Sequence, residues 1–296
     1  MSDRCATRYP IVLVPGMLGF VRLVVYPYWF GIAEALRREG ATVHIVQVSM
    51  LNSSEVRGEQ LLRVLEDLHR HTGAERFNLI GHSQGALTAR YAAAVRPERV
   101  ASVTSVAGPN HGSELADHVD RRLADARLTG HLLQRGLHGL ALLMGLLDTG
   151  YKGPRLPIDV QASHRSLTSA GVERFNRFYP QGLPTQWGGQ GPAEVNGVRY
   201  YSWSGVLQDR RSDGGGNRFD SSHYLCRRFA RTFVKEAGQC DGMVGRFSSH
   251  LGEVIGDDYP LDHLDIVNQS LGRVGRGAEP VRLFVEHAVR LRLAER

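Results

Sequence analysis

Residues 77–94 read FNLIGHSQGALTARYAAA, a stretch that begins as a strand and ends as a helix. The run 76–81 is apolar and strand-prone, while 84–96 is an alanine-rich helical pattern closed by Pro97. Ser83 stands at the join, bracketed by Gly81 and Gly85. A turn this tight holds its apex residue in strained backbone angles, and a Cβ at either flanking position would collide with its neighbours. In return the hydroxyl stands at the carboxyl edge of a strand and at a helix N-terminus, where free N–H groups favour negative charge. A glycine-serine turn without chemistry is the bland alternative, and G-x-S-x-G alone is common. The correct flanks favour a nucleophile.

Working outward, strand and helix signals alternate through the first third. YPIVLVPG (9–16) is an apolar strand stopped by Pro-Gly, and YWFGIAEALRREG (28–40) has helical periodicity ending at Gly40. ATVHIVQV (41–48) is strand-like, residues 55–73 form an amphipathic helix, and VASVTSVAG follows the helix after Ser83. This alternation predicts an α/β fold, a mostly parallel central sheet flanked by helices. The rhythm breaks after Gly108. Residues 113–150 read as a long helical stretch, 151–195 are irregular with a short helix near 169–178, 197–206 restore a strand, and 280–295 make a closing helix. No linker divides the chain, so the reading is one domain over 1–296 with an insertion in its middle.

The 36 Lys and Arg exceed the 30 Asp and Glu, but the positive residues are almost all Arg, scattered among acids. That pattern argues against a nucleic-acid partner. The longest apolar run, LHGLALLMGLL at 137–147, is too short to span a bilayer, and the first residues show no basic and apolar leader. Three cysteines, Cys5, Cys226 and Cys240, lack metal-ligand spacing and allow at most one disulfide.

A serine nucleophile needs a base, and the base needs an orienting carboxylate. In a sheet of this kind the acid and then the histidine follow the serine along the chain. Asp241, before Gly242, suits a strand-end turn that presents a carboxylate, and His263 lies in a polar loop before the last helix. His82, His111 and His250 compete for the role of base. His82 is too near Ser83 along the chain, no carboxylate arrangement recommends the other two, and His263 is only modestly preferred. Two N–H groups must also bind the oxyanion. Gln84, next after the nucleophile, supplies one, and Met17 in the PGMLGF loop after the first strand supplies the other.

Taken together, YPIVLVPGMLGF, GHSQG, NHGSELAD, VNGVRYYSWSG, DGMVGRFSSHLGEVIGDDY and DHLDIVNQ resemble the bacterial true lipases of family I. Among these, the Proteus-type branch of the Pseudomonas-like subgroup is the nearest in pattern, and the resemblance runs from about Tyr9 to the final helix. It implies the α/β-hydrolase fold, the triad Ser83, Asp241 and His263, and the oxyanion donors Met17 and Gln84. It further implies one structural Ca²⁺, held by the carboxylates of Asp220 and Asp265 and the carbonyls of Gln269 and Arg273, with no organic cofactor. Hard oxygen ligands suit that ion, although by composition alone Asp220 and Asp265 read as solvated surface acids. The chain departs from the pattern at Pro15, where the family has His, and at Cys240, where it has Asn. Trp187 and Phe247 occupy the positions of the disulfide found in other members.

By the same resemblance, 113–150 corresponds to a lid, although an apolar helix is by default a core helix. The implied activity is triacylglycerol hydrolysis through an acyl-enzyme, on acylglycerol at a lipid–water interface. The branch implies folding without a dedicated foldase and export without a cleaved signal peptide, with a cytoplasmic location as the alternative, and a monomer is the expected state. A carboxylesterase for soluble short-chain esters and a non-catalytic lipid-binding protein are the competing functions.

Overall fold

The computed structural model describes residues 2–125, 127–208 and 216–295. The first strand β1 (Ile11–Val14) leads into a small antiparallel hairpin of β2 (Arg22–Leu23) and β3 (Tyr26–Pro27). Then α1 (Ile32–Arg38), β4 (Val43–Ile45), α2 (Ser54–Thr72), β5 (Phe77–His82), α3 (Gln84–Val95) and β6 (Val100–Val106) complete the alternating first third. Four helices follow: α4 (Glu114–Asp125), α5 (Arg127–Leu147), α6 (Val160–Arg165) and α7 (Ser169–Phe178). The chain closes with β7 (Glu194–Val195), β8 (Val198–Gly205), α8 (Ser221–Ala230), β9 (Glu253–Tyr259) and α9 (Pro280–Ala294).

The strands pair in the order β4-β1-β5-β6-β8, with β7 and β9 sharing the far side of β8. All pairs in this sheet are parallel except β7 with β8. The expected mostly parallel sheet flanked by helices is therefore present.

Both faces of the sheet are covered, so its central strands β1, β5 and β6 are buried along their whole length. Ile11 and Leu13 of β1 point into one core with Trp29, Ile32, Leu36, Trp203 and Phe284. Val12 and Val14 point into the other with Leu61, Leu65, Leu79, Ala89 and Tyr200. That division is the two-residue period of a strand, and a slip of one residue would exchange the two sets. Helix α2 is capped by Ser53, whose side chain accepts the Val56 N–H, and ends on Gly73 in the left-handed region.

Residues 113–150, read from the sequence as an insertion, carry α4 and α5, with residue 126 outside the described residues. Sequence reasoning did not assign β9, α8 or the β2–β3 hairpin. Strand β9, EVIGDDY, is half-buried and rich in polar groups, so it carries no apolar signature. No cysteine pairs with another; Cys5, Cys226 and Cys240 are buried free thiols.

The glycines around Ser83 are required by contact. A Cβ on Gly81 would lie 2.3 Å from the Gly85 carbonyl oxygen, and one on Gly85 would lie 2.3 Å from the Val14 carbonyl oxygen. The obstructing atoms are backbone and cannot rotate away. We expect Gly85→Ala to cost at least about 1–3 kcal/mol, as overpacking does. A denaturant titration should show the midpoint falling with the slope unchanged; an unmoved midpoint refutes the close approach.

Candidate active site

The carboxyl ends of β1, β5 and β6 and the segment after β9 meet at one edge of the sheet, where open parallel sheets bind ligands. At the end of β5, Ser83 adopts φ 55° and ψ −128°, and its N–H donates to the Val106 carbonyl at 2.9 Å. Ser83 begins α3, and no side chain caps that helix.

His263 Nε2 lies 2.9 Å from Ser83 Oγ, and His263 Nδ1 lies 2.7 Å from Asp241 Oδ2. Imidazole and carboxylate are buried, at 3% and 1% exposure. The main chains also join, since the His263 N–H donates to the Asp241 carbonyl at 3.0 Å. Asp241 does not end a strand of the sheet, contrary to the sequence reading. It sits in a tight turn closed by an isolated bridge between Cys240 and Gly245. There Oδ1 accepts the N–H groups of Met243 (2.8 Å) and Val244 (2.7 Å), which leaves Oδ2 to the imidazole. Gly242 has φ +100°, and a Cβ there would come 2.6 Å from Cys226 Cβ.

The competing histidines are engaged elsewhere. His82 contacts Tyr28 and the His263 carbonyl, and His111 packs on Trp187. His250 does have a carboxylate, Asp257 at 3.0 Å, which corrects the expectation that it lacked one. Its other nitrogen is taken by the Gly189 carbonyl, so no nitrogen is left for a serine.

The pairing of Val14 with Gly81 brings residues 15–18 beside the serine. A Cβ on Gly16 would lie 2.9 Å from Ser83 Cβ. Neither the Met17 nor the Gln84 N–H donates to any group among the described residues. Met17 itself is 42% exposed, so the reading of it as a core residue fails.

The loop's orientation comes from Arg57 of α2, which sequence reasoning missed. It is fully buried, and its guanidinium donates to the carbonyls of Ser49 (2.5 Å), Pro15 (2.5 Å) and Gly16 (3.1 Å) and to Thr88 Oγ1 (3.2 Å). In a trans peptide the C=O and the following N–H point in opposite directions. Holding the Gly16 carbonyl therefore aims the Met17 N–H away from Arg57. Burial pulls the guanidinium down to about 10, so it is charged at neutral pH.

Beside His263, three carboxylates share one buried region. Asp220 Oδ1 accepts from Ser222 N–H (2.8 Å), Ser222 Oγ (2.5 Å) and Ser270 Oγ (2.9 Å), while its Oδ2 has no partner. Both oxygens of Asp265 are buried and without hydrogen-bond partners. Asp262 is satisfied by the N–H groups of Leu264 and Asp265 and by His223 Nδ1 at 2.9 Å. Burial first, then the charges of Asp262 and Asp220, push the Asp265 carboxyl up to about 9.

Ligand atoms of His223, Asp262 and Asp265 lie within 4.8 Å of one another. Ser270, which touches Asp220, is flanked by Gln269 on one side and followed two residues later by Gly272 and then Arg273; neither the Gln269 nor the Arg273 carbonyl accepts a hydrogen bond among the described residues. Orphaned carboxylate oxygens and free carbonyls are a hard-oxygen donor set, which fits Ca²⁺. Asp220 and Asp265, at 2% and 0% exposure, are not the solvated surface acids that composition suggests.

Residues 9–149 match the family described as alpha/beta hydrolase fold. A triacylglycerol lipase of Pseudomonas fragi is 50% identical over 295 residues, covering 99% of each chain. The chain belongs to the bacterial triacylglycerol lipase family. A triacylglycerol lipase of Vibrio cholerae is 44% identical over 97% of this chain and 89% of its own. The crystal structure of Staphylococcus hyicus lipase superposes with a TM-score of 0.64 over 97% of each chain, at 18% identity, which speaks for the fold alone.

Within this family member, the residues missed by sequence reasoning are Arg57, Tyr28, Asp262 and His223. Only Asp262 carried a signal, as the first acid of DHLD. Because Asp241 Oδ1 is committed to two N–H groups, Asp241→Asn would place its NH₂ against His263 Nδ1 and favour the wrong tautomer. The expected loss in kcat is about 10⁴-fold, as for a triad aspartate elsewhere. Steady-state kinetics on a soluble ester check it, and a loss below tenfold removes Asp241 from the triad.

Proposed function

We propose that the protein is a triacylglycerol lipase that hydrolyses carboxylic ester bonds of acylglycerols through a Ser-His-Asp triad. The observation that carries the reading is the hydrogen-bonded run Ser83–His263–Asp241, set beside two N–H groups with nothing else to bind. The lipase relatives support the choice of substrate. His263 Nε2 takes the Ser83 proton as Oγ attacks the ester carbonyl, and the N–H groups of Met17 and Gln84 receive the oxyanion. The imidazolium, stabilised by Asp241, returns its proton to the departing alcohol and leaves an acyl-serine. Water, deprotonated by His263, then attacks that ester, and the imidazolium returns the proton to Ser83 Oγ as the fatty acid leaves.

Residues 113–150 act as a lid in this reading. Helix α5 buries Ala141 and packs Leu137 and Met144 on the core, yet Leu132, Leu143 and Leu146 are 70%, 53% and 68% exposed. A core helix would hide these side chains, whereas a lipid surface would cover them. At about 25 cal/mol per Å², a few hundred Å² of apolar surface is worth several kcal/mol, enough to draw the helix to an oil phase. No helix among the described residues is long and apolar enough to cross a membrane.

The carboxylates of Asp220 and Asp265 would hold one Ca²⁺ with the Gln269 and Arg273 carbonyls, and its charge would offset the repulsion between the two acids. The ion supplies counter-charge that braces the loop carrying His263, and it takes no part in the chemical steps.

Two experiments test the proposal. Hydrolysis of emulsified long-chain triacylglycerol is measured beside soluble p-nitrophenyl butyrate. We expect activity on the emulsion, with Ser83→Ala folded but slower by at least about 10⁴-fold. Activity on butyrate alone would instead assign a short-chain esterase, and no phosphonate label at Ser83 would assign an inert lipid binder.

For the ion, saturating Ca²⁺ at 100-fold its Kd should stabilise the fold by about 2.7 kcal/mol, seen as a rise of several degrees in Tm over the EDTA-treated protein. Asp265→Asn should abolish that rise. An equal rise in the variant removes the site.

A further inference from the structure

We propose that Tyr28 and His82 form a buried positioning relay that ties the oxyanion loop to the main chain of the catalytic base. The proposal rests on the ester-hydrolase reading above and adds to it two residues that no triad requires.

His82 is the immediate neighbour of Ser83, but its ring turns away from the serine and is only 1% exposed. Nδ1 lies 2.6 Å from Tyr28 Oη, and Nε2 lies 2.9 Å from the His263 carbonyl oxygen. The same phenol oxygen accepts the Gly16 N–H at 3.1 Å. The chemistry of the two ends fixes every direction between them. An amide N–H can only donate, so Tyr28 Oη receives it; the phenol's own proton goes to His82 Nδ1, because a neutral ring protonated at Nε2 can only accept there. A carbonyl can only accept, so His82 Nε2 carries the ring proton. The chain runs one way, from Gly16 N–H through the phenol and the imidazole to the His263 C=O.

A satisfied core histidine would also have two hydrogen bonds. What distinguishes this one is where they lead. Gly16 lies between Pro15 and Met17, in the loop that presents the oxyanion donor, and any Cβ on it would crowd Ser83 Cβ (2.9 Å), Tyr28 Oη (3.1 Å) and the His82 carbonyl (3.2 Å). His263 is the base itself, held by its N–H to Asp241 and by its C=O to His82. The two imidazole rings are 4.7 Å apart between centroids. A charged ring at that distance would oppose protonation of His263 during turnover. Burial first, then His263, hold His82 well below the usual imidazole range, and burial pushes Tyr28 up to about 12, so both stay neutral. The relay therefore fixes two loops without adding charge. It makes no contact with the reacting atoms, and its residues position the groups that do.

The test is a double-mutant cycle on p-nitrophenyl butyrate with Tyr28→Phe, His82→Ala and the double variant, read together with nitrogen-15 spectra of the unmodified enzyme's histidines. Displacements of an ångström can cost about 10²-fold, so each single variant should lose roughly 10- to 100-fold in kcat with KM within about threefold. Because both substitutions cut one chain, the double variant should lose little more than the worse single one. Losses that multiply, or that appear in KM, overturn the relay. The spectra decide the matter even where a variant fails to fold. At pH 7 His82 should be a neutral Nε2–H tautomer; an Nδ1–H tautomer or an imidazolium refutes it. An unmodified enzyme that neither hydrolyses the ester nor takes a phosphonate on Ser83 overturns the hydrolase reading instead, whatever tautomer His82 shows.

Discussion

The site depends on how closely the ends of β1 and β5 approach each other. Paired in parallel through Val14 and Gly81, they press backbone on backbone, with Gly85 against the Val14 carbonyl and Gly16 against Ser83. Ser83 keeps a conformation that costs about 1–3 kcal/mol for an ordinary residue. It does so because the strand behind it, the helix ahead and the Val106 carbonyl beside it leave no other path. The height of the hydroxyl, the nearness of the oxyanion loop and the direction of the His82 ring all follow from that one approach.

A second constraint is that the polar groups doing the positioning are buried. Burying a guanidinium is costly unless its donors are paired, and Arg57 spends four hydrogen bonds on three carbonyls and a hydroxyl. Those bonds fix which way the peptides of the oxyanion loop face. Glycine and proline could make the turn without Arg57, but they could not choose its face. The same division holds at Asp241, where two N–H groups occupy one oxygen so that the other meets the histidine.

Much of this was legible in the sequence because it is local or periodic. The alternation of apolar strands and amphipathic helices gave the parallel sheet, and the flanks of G-H-S-Q-G made Ser83 stand out. The proposed base was less legible: spacing alone left several histidines open, and only long motifs separated His263 from them. Tertiary facts were not legible at all. Strand β9 is polar and half-buried, because it lies at the edge of the sheet and pairs only with β8. Arg57 looks like a surface charge on an amphipathic helix until α2 is laid over the ends of β1 and β4. Asp220 and Asp262 are 42 residues apart, and no period links them.

The carboxylate cluster beside His263 places buried charge against the last loop. The segment between β9 and α9 holds only short 3₁₀ turns, so its own hydrogen bonds cannot order it. It is held to the rest of the fold by buried polar anchors: Asp262 on His223, His82 on the His263 carbonyl, and Asn268 on the Phe30 carbonyl. Those anchors bring Asp262 and Asp265 into the same buried region as Asp220. Three ionised carboxylates there would repel one another with little solvent to screen them. His223 and the serine hydroxyls relieve Asp262 and one oxygen of Asp220, but nothing relieves Asp265. A proton can neutralise that group, but it balances one charge and one oxygen. A divalent cation balances two charges and can take up orphaned oxygens from both aspartates and carbonyls from the adjoining turn. In the function proposed here, the order of the loop, and with it the placement of His263, would be coupled to such an ion.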